Sequence, residues 1–263
     1  RPDQYVGIST WTGDNNDRFI EYGMKPDLFI VKSRNDNYRP GWFDSVRGFK
    51  NVLWSSRDSG QQNSSSFPED PTPTGITVNN DDGQTNQNTK TYVGWAFKAG
   101  GNNNTFNVDD VGYATAAAAG LTGGDITPTG ASVGTKQGFS IIKYTGSGTS
   151  GDTLPHGLLQ TPDFIITKCL DASSIDWIVK PVGLLSSESH MLILNDLNAE
   201  FQGTGGHISA QTSTTVTLTE GSNDGNYNNS GDNYIMYSWH NVPGLQKFGK
   251  YTGNNSSDGP YVE

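Results

Sequence analysis

The chain has 263 residues with a net charge of −10, 32% apolar and 11% aromatic side chains, and 33 glycines. That length suits two domains of ordinary size, and the aromatic content excludes a disordered chain. The acidic balance speaks against a nucleic-acid backbone or an anionic lipid surface as partner, since both reward Lys and Arg. No apolar run is long enough to span a membrane.

In chain order, Val6, Ile8 and Thr10 alternate as one face of a strand. Asp14-Asn-Asn-Asp17 follows as a polar tip, and then Pro26-Asp27 leads into the continuously apolar Leu28–Val31. Such a run predicts a central strand covered on both faces, with the proline at its entry because it cannot sit inside a ladder. Trp42 opens another apolar stretch, and Asn79-Asn-Asp-Asp82 is a second polar tip. Further on, Val93, Trp95 and Phe97 alternate with Tyr92, Gly94 and Ala96, which predicts a strand with its bulky side inward.

Residues 101–136 break the β pattern with Gly, Asn, Ala and Thr. The Ala-rich run Ala114–Ala119 predicts one or two helical turns stopped by Gly120. Beyond it the strand patterns return: Phe139, Ile141 and Lys143; Phe164–Ile166 after Pro162-Asp163; Trp177; and Ile235, Tyr237 and Trp239.

The second half restates the first. Trp11-Thr-Gly matches Tyr144-Thr-Gly, Pro26-Asp matches Pro162-Asp, Trp42 matches Trp177, and Tyr92 matches Tyr234. The offsets are 133, 136, 135 and 142 residues, as expected if strands match and loops differ in length. Phe248-Gly-Lys-Tyr-Thr-Gly opens the pattern a third time before the chain stops at Glu263. A period this long implies tandem domains rather than a solenoid. The expected organisation is a first β-sandwich at 1–100, a linker at 101–136, a second sandwich at 137–246, and the first strand of an incomplete third repeat at 247–263. The fold class is all-β: two tandem antiparallel sandwiches of jelly-roll or lectin type, joined by a short Ala-rich helical linker. The third opening, with a start at Arg1 and no signal-peptide pattern, reads as a truncated or mature piece of a longer array.

Few residues invite chemistry. Asp14–Asp17, Asn79–Asp82, Asp224 and Asp232 offer hard oxygen ligands, so calcium stays open as an alternative. The second copy of Asp14–Asp17 is Ser147-Gly-Thr-Ser, which is uncharged, and no cofactor is expected. His156, His190, His207 and His240 lack zinc-site spacing, and the lone Cys169 reads as a small buried hydrophobe. Glu21, Asp27, Asp44, Asp176, Glu188 and Glu200 could serve a glycosidase only if a pair converged. Gly146-Ser-Gly and Gly203-Thr-Gly-Gly precede no helix and make poor phosphate cradles. Trp11, Tyr38, Trp42, Trp54, Tyr113 and Trp177 could stack on sugars, but the recurring pair Trp42 and Trp177 reads as core. Arg47 is expected to pair with Asp44.

Several motifs in order carry a resemblance: Lys25-Pro-Asp-Leu-Phe-Ile-Val-Lys, Gly41-Trp-Phe-Asp-Ser-Val-Arg-Gly, Tyr92-Val-Gly-Trp-Ala-Phe, Gly138-Phe-Ser-Ile-Ile-Lys-Tyr-Thr-Gly, Leu154-Pro-His-Gly-Leu and Phe248-Gly-Lys-Tyr-Thr-Gly-Asn. The chain resembles tandem-repeat virion proteins of marine and freshwater tailed phages, cyanophages included, a family of unknown function. The resemblance implies a non-enzymatic structural protein on the virion surface, in a tail fibre, appendage or capsid decoration. The partners it implies are other virion proteins, further copies of itself in a homo-oligomer, and a host-surface glycan. No catalytic, binding or metal residue is carried over. Two alternatives stand beside it: a carbohydrate-binding module or polysaccharide depolymerase domain, and a calcium-stiffened bacterial adhesin fragment.

Overall fold

The computed structural model describes residues 1–79, 83–202, 207–219 and 225–261. Among these the fold is all-β: twenty strands and a single 3-10 turn at Pro2–Gln4, with no α-helix. In chain order the first half supplies β1 (Val6–Thr12), β2 (Arg18–Glu21), β3 (Leu28–Ser33), β4 (Gly41–Asp44), β5 (Asn51–Trp54), β6 (Gln62–Asn63), β7 (Gly75–Val78) and β8 (Thr91–Phe97). Then come β9 (Phe106–Val108), β10 (Val111–Tyr113) and β11 (Gly130–Gly134). The second half supplies β12 (Phe139–Thr145), β13 (Thr153–Pro155), β14 (Phe164–Cys169), β15 (Ile178–Pro181), β16 (His190–Ile193), β17 (Phe201–Gln202), β18 (His207–Gln211), β19 (Thr215–Thr219) and β20 (Asn233–Trp239).

The repeat is visible in the topology. One large sheet runs β1-β8-β3-β4-β5-β6, and the other contains the matching series β12-β20-β14-β15-β16-β17. Each is backed by a small sheet, β2-β7 in the first half and β13-β19-β18 in the second. The repeat also holds atom by atom. Trp11 stacks on Tyr92 with ring centroids 5.6 Å apart, and Tyr144 stacks on Tyr234 at 5.3 Å. Trp11 Nε1–H donates to the Thr85 carbonyl (3.0 Å), and the Tyr144 hydroxyl donates to the Tyr227 carbonyl (2.7 Å). The hydroxyl of Tyr92 bridges Gly83 O and Gln87 N–H, and that of Tyr234 bridges Gly225 O and Asn229 N–H.

The Pro-Asp motif is a latch. Asp27 N–H donates to Phe97 O, and its carboxylate accepts the N–H of Ala99 (2.8 Å). In the second half, Asp163 N–H donates to Trp239 O, and its carboxylate accepts the N–H of Asn241 (2.6 Å). In each case the aspartate ties the start of one central strand to the chain leaving the other, satisfying backbone donors that the ladder no longer reaches.

Packing explains which residues drift. At Gly94 an added Cβ would meet Phe29, Tyr22 and Trp11, all at 3.0 Å or closer. The counterpart of Gly94 is Met236, and the counterparts of Phe29, Tyr22 and Trp11 are Ile165, His156 and Tyr144. Smaller neighbours are matched by a larger strand residue, as a close-packed interior of fixed volume requires.

Four expectations are corrected. Ala114–Ala119 forms no helix. It makes one turn in which Ala119 N–H reaches Thr115 O, closed by bonds from Gly120 to Ala117 and from Leu121 to Ala116. That is a Schellman closure on Gly120 at φ +73, and one capped turn is too short to propagate. The segment expected as a linker, 101–136, carries strands of its own: β11 pairs antiparallel with β12 and parallel with β9, extending the second large sheet. Residues 247–261 contain no strand; Phe248 instead stacks on Phe164 at 5.0 Å. Finally, the buried face of β8 is Tyr92, Gly94 and Ala96, while Val93, Trp95 and Phe97 are half-buried. Both faces of β20 are buried.

Candidate functional site

The main tertiary feature is the junction between the two large sheets. A shared apolar cluster joins Leu28, Trp42 and Leu53 of the first half to Phe139, Ile166, Trp177, Tyr237 and Trp239 of the second. Trp42 lies 5.2 Å from Trp177 and 5.3 Å from Tyr237, ring centroid to centroid. Trp177 Nε1–H donates to Trp54 O (3.0 Å), so its polar edge is satisfied across the junction. The matching of Trp42 with Trp177 needs correction. Ile30 faces Trp42 and Ile166 faces Val179, so the counterpart of Trp42 is Val179.

A buried polar triad sits inside this apolar contact. Arg47 Nε contacts Asp44 Oδ2 at 2.5 Å, with both side chains fully buried. The Tyr237 hydroxyl, from the other half, donates to the same Asp44 oxygen at 2.7 Å. Arg47 also donates to Trp42 O at 2.9 Å, and Asp44 Oδ1 accepts the N–H groups of Val46 and Arg47. Burial, the largest single influence, would lower the Arg47 pKa, but the charges and hydrogen bonds of Asp44 and Tyr237 together outweigh it and raise it. Burial pushes the Tyr237 phenol well above its ordinary value. The guanidinium therefore stays charged beside a neutral tyrosine, and the triad fixes the register of one sheet on the other.

Lys168 makes a second tie. Its ammonium donates to Asp58 O of the first half (3.0 Å) and Ile175 O of the second (2.6 Å). Burial lowers its pKa to about 8. Beside it, Gln61 N–H donates to Leu170 O at 2.8 Å.

A polar groove of about 610 Å³ opens at the edge of the junction, lined among others by Lys25, Lys98, Asn102, Asn103, Asp110 and Lys136. Lys25 donates to Asn102 O (2.7 Å) and to Asn103 Oδ1, and Lys98 pairs with Asp110 at 2.7 Å. Burial lowers the Lys25 pKa. Behind the groove Asp27 is fully buried and holds Ala99, Gly101, Ser45 and Ser132, the last at 3.0 Å. Burial raises its pKa against those donors. The described lining contains no Ser, Cys or His beside a base. What it offers is a display of amides, ammonium groups and two carboxylates, Asp109 and Asp110, suited to binding a polar ligand. A smaller apolar groove of about 370 Å³ is lined by Val6, Ile30, Phe97, Trp239 and Phe248.

The residues singled out from sequence fall elsewhere. Trp11, Trp42, Trp54 and Trp177 are buried, and so are not sugar platforms. Tyr38 donates to Gln87 (2.6 Å), and Tyr113 packs on the second core. Asp14 is engaged by Asn16 N–H and by Arg18 at 2.7 Å, and Asp232 by Asn229. Among the described residues no group of three His, Cys, Asp or Glu side chains is placed to hold a metal ion. Asn80–Asp82, Asp224 and Gly203–Gly206 lie outside the described residues. Of the carboxylates, Asp27 and Asp44 are junction groups, whereas Asp176 binds Asn195 and Glu200 binds Ser186. Cys169 is buried and free of disulfide. Sequence reasoning expected the Arg47–Asp44 pair but not its place in the junction. The signal available was a charged pair inside an otherwise apolar, aromatic segment. No described helix is long and apolar enough to cross a membrane.

A family model described as a domain of unknown function (DUF7483) matches residues 1–263, and the chain belongs to that family. No curated protein and no solved structure matches it.

Proposed function

We propose that this family member is a non-enzymatic structural component of a phage particle. It stands on the virion surface in a tail fibre, appendage or capsid decoration, where it holds other virion proteins and presents loops toward the host. In this reading each repeat is a sandwich unit, and the two act as one stiff body. The observation that carries it is the junction. A buried aromatic contact with a buried ion pair suits a spacer that transmits force, while long Asn-, Thr- and Gly-rich loops can vary on a fixed scaffold. The resemblance to virion repeat proteins supplies the particle.

A glycan array, run with and without calcium and assayed in the same wells for released sugar, tests it. Silence, or binding without release, agrees with a structural part; release of sugar overturns it. The polar groove beside Lys25 and Asn102 supports a second reading, a carbohydrate-binding module. For that reading the same array returns calcium-independent binding that is lost on replacing Asn103 and Asp110, which line the groove.

A further inference from the structure

The polar groove at the edge of the junction gathers cations in an acidic chain. The chain has 17 Lys and Arg residues and a net charge of −10, yet Lys25, Lys98 and Lys136 all line this one groove. The segments that deliver them are held from behind. Fully buried Asp27 accepts the N–H groups of Ala99 (2.8 Å) and Gly101 (2.9 Å), which brings Asn102 and Asn103 onto Lys25. Gln137 Nε2–H donates to Ala99 O at 2.8 Å, and this clips the turn that bears Lys136 to the strand exit that bears Lys98. Pro71 and Pro73 add rigid C–H surface to the lining.

Two of the three ammonium groups have no carboxylate of their own. Lys98 pairs with Asp110 at 2.7 Å. Lys25 is only 8% exposed, bonds to the neutral oxygens Asn102 O and Asn103 Oδ1, and has no ion-pair partner among the described residues. Lys136 is exposed and equally unpaired among them. The remaining lining carboxylate, Asp109, is taken up by Thr135, whose N–H (2.8 Å) and hydroxyl (2.5 Å) it accepts. Burying an ammonium against dipoles alone is costly, and the fold does not require it. In the second half Thr161 stands in the place of Lys25 before Pro-Asp, and His240 follows Trp239 as Lys98 follows Phe97.

We propose that this groove binds an acidic glycan, whose uronate or sulfate groups are held by Lys25 and Lys136. Its hydroxyls bond to Asn102 and Asn103, and its C–H faces lie on Pro71 and Pro73. The assignment rests on the carbohydrate-binding reading of the groove and names the class of sugar. A ligand anion supplies the counter-charge that both lysines lack, in charge-assisted hydrogen bonds. Lys25 is already fixed by Asn102 and Asn103, so little side-chain freedom is lost when the ligand arrives. Asp110 keeps the third ammonium, that of Lys98, in place on the lining.

Calorimetric titration of the full chain with trigalacturonate, a heparin-derived tetrasaccharide and neutral galactotriose tests the proposal. At least one acidic probe should bind about tenfold or more tighter than galactotriose, and its affinity should fall as salt is raised. Lys25→Thr, which copies the second half, and Lys136→Gln should each weaken that binding about tenfold. Lys250→Gln, outside the groove, should not. Lys136→Gln, on an exposed side chain, should leave the melting temperature unchanged and so separates lost binding from unfolding. The tighter of the two acidic probes identifies the anion, uronate or sulfate. Galactotriose bound as tightly as the acidic probes overturns the acidic assignment and leaves the carbohydrate-binding reading standing. Acidic binding that both groove variants retain overturns it too, since the sugar would then sit elsewhere. Binding of no probe overturns the proposal and that reading together.

Discussion

The outer faces of the two large sheets carry matching residues in opposite settings. Ile8, Trp95 and Ile30 lie side by side across β1, β8 and β3, and Ile141, Tyr237 and Ile166 lie side by side across β12, β20 and β14. In the second half all three are buried, while in the first Ile8 is exposed and the other two are half-covered. Lys32 and Lys168 show the same split. Lys32 sits at the rim, bonded to local carbonyls, whereas Lys168 is fully buried and spans the junction. The first sheet covers the second with its β4–β5 side, which leaves its own β1–β8 side uncovered. Strand patterning thus provides two faces per sheet, and tertiary packing decides how many of them are used.

The strongest way to break that asymmetry is to remove the triad that holds the cover in place. Arg47→Ala leaves Asp44 and the Tyr237 hydroxyl buried without their cation, and is expected to cost about 3–5 kcal/mol in chemical denaturation. A loss under about 1 kcal/mol would mean that the pair is not buried in solution.

The comparison is sharpened by truncating the two counterpart rings. Tyr237→Ala should cost about 3–5 kcal/mol, the range for a large core ring. Trp95→Ala should cost about 1 kcal/mol, because a half-covered ring gives up far less buried area. Equal losses at the two positions would show that both faces are covered in solution.

Acid should affect the second half first. His156 and Tyr22 are counterparts, with backbone N–H groups bonded to Thr214 O and Thr74 O respectively. Burial lowers the His156 pKa to about 4 from 6.5. Its Nδ1 accepts Leu158 N–H, while Nε2–H faces Thr212 O, so protonation breaks a bond. The folded pKa lies below the unfolded one; the stabilisation is therefore present above pH 6.5 and is lost as pH falls toward 4. The change is on the order of 3 kcal/mol. His156→Gln should flatten the stability profile in this window, and an unchanged profile would exclude His156 as its source.

The smallest effect compares one methylene on each face. Ile141→Val should cost about 1 kcal/mol, and Ile8→Val should fall within about 0.5 kcal/mol of zero. Thermal melts of the two variants side by side read the difference.

Much of this was legible in the chain. The offsets that align Trp11 with Tyr144 and Tyr92 with Tyr234 located strands that stack in the same way in both halves. The Pro-Asp pairs marked the entries to β3 and β14. Legibility failed where one signal fitted two structures. Two tryptophans at similar offsets suggested equivalence, yet pairing places Trp42 opposite Ile30 and Trp177 two positions before the counterpart of Trp42. An Ala-rich run suggested a helix by propensity, but one turn ending at a glycine cannot outlast the cost of nucleation. The candidate platform tryptophans were hidden for a similar reason, since ring chemistry serves a core and a binding face equally well.

By itself the sequence determined the β class and the two-fold repetition, because these follow from local alternation, turn residues and matching motifs. Only the tertiary structure decided that the halves are welded through Trp42, Trp177 and Tyr237. It alone decided that β11, within residues 101–136, pairs with β12 and extends the second large sheet. Those outcomes depend on which of two apolar faces meets which, and alternation with a period of two specifies faces without specifying their partners.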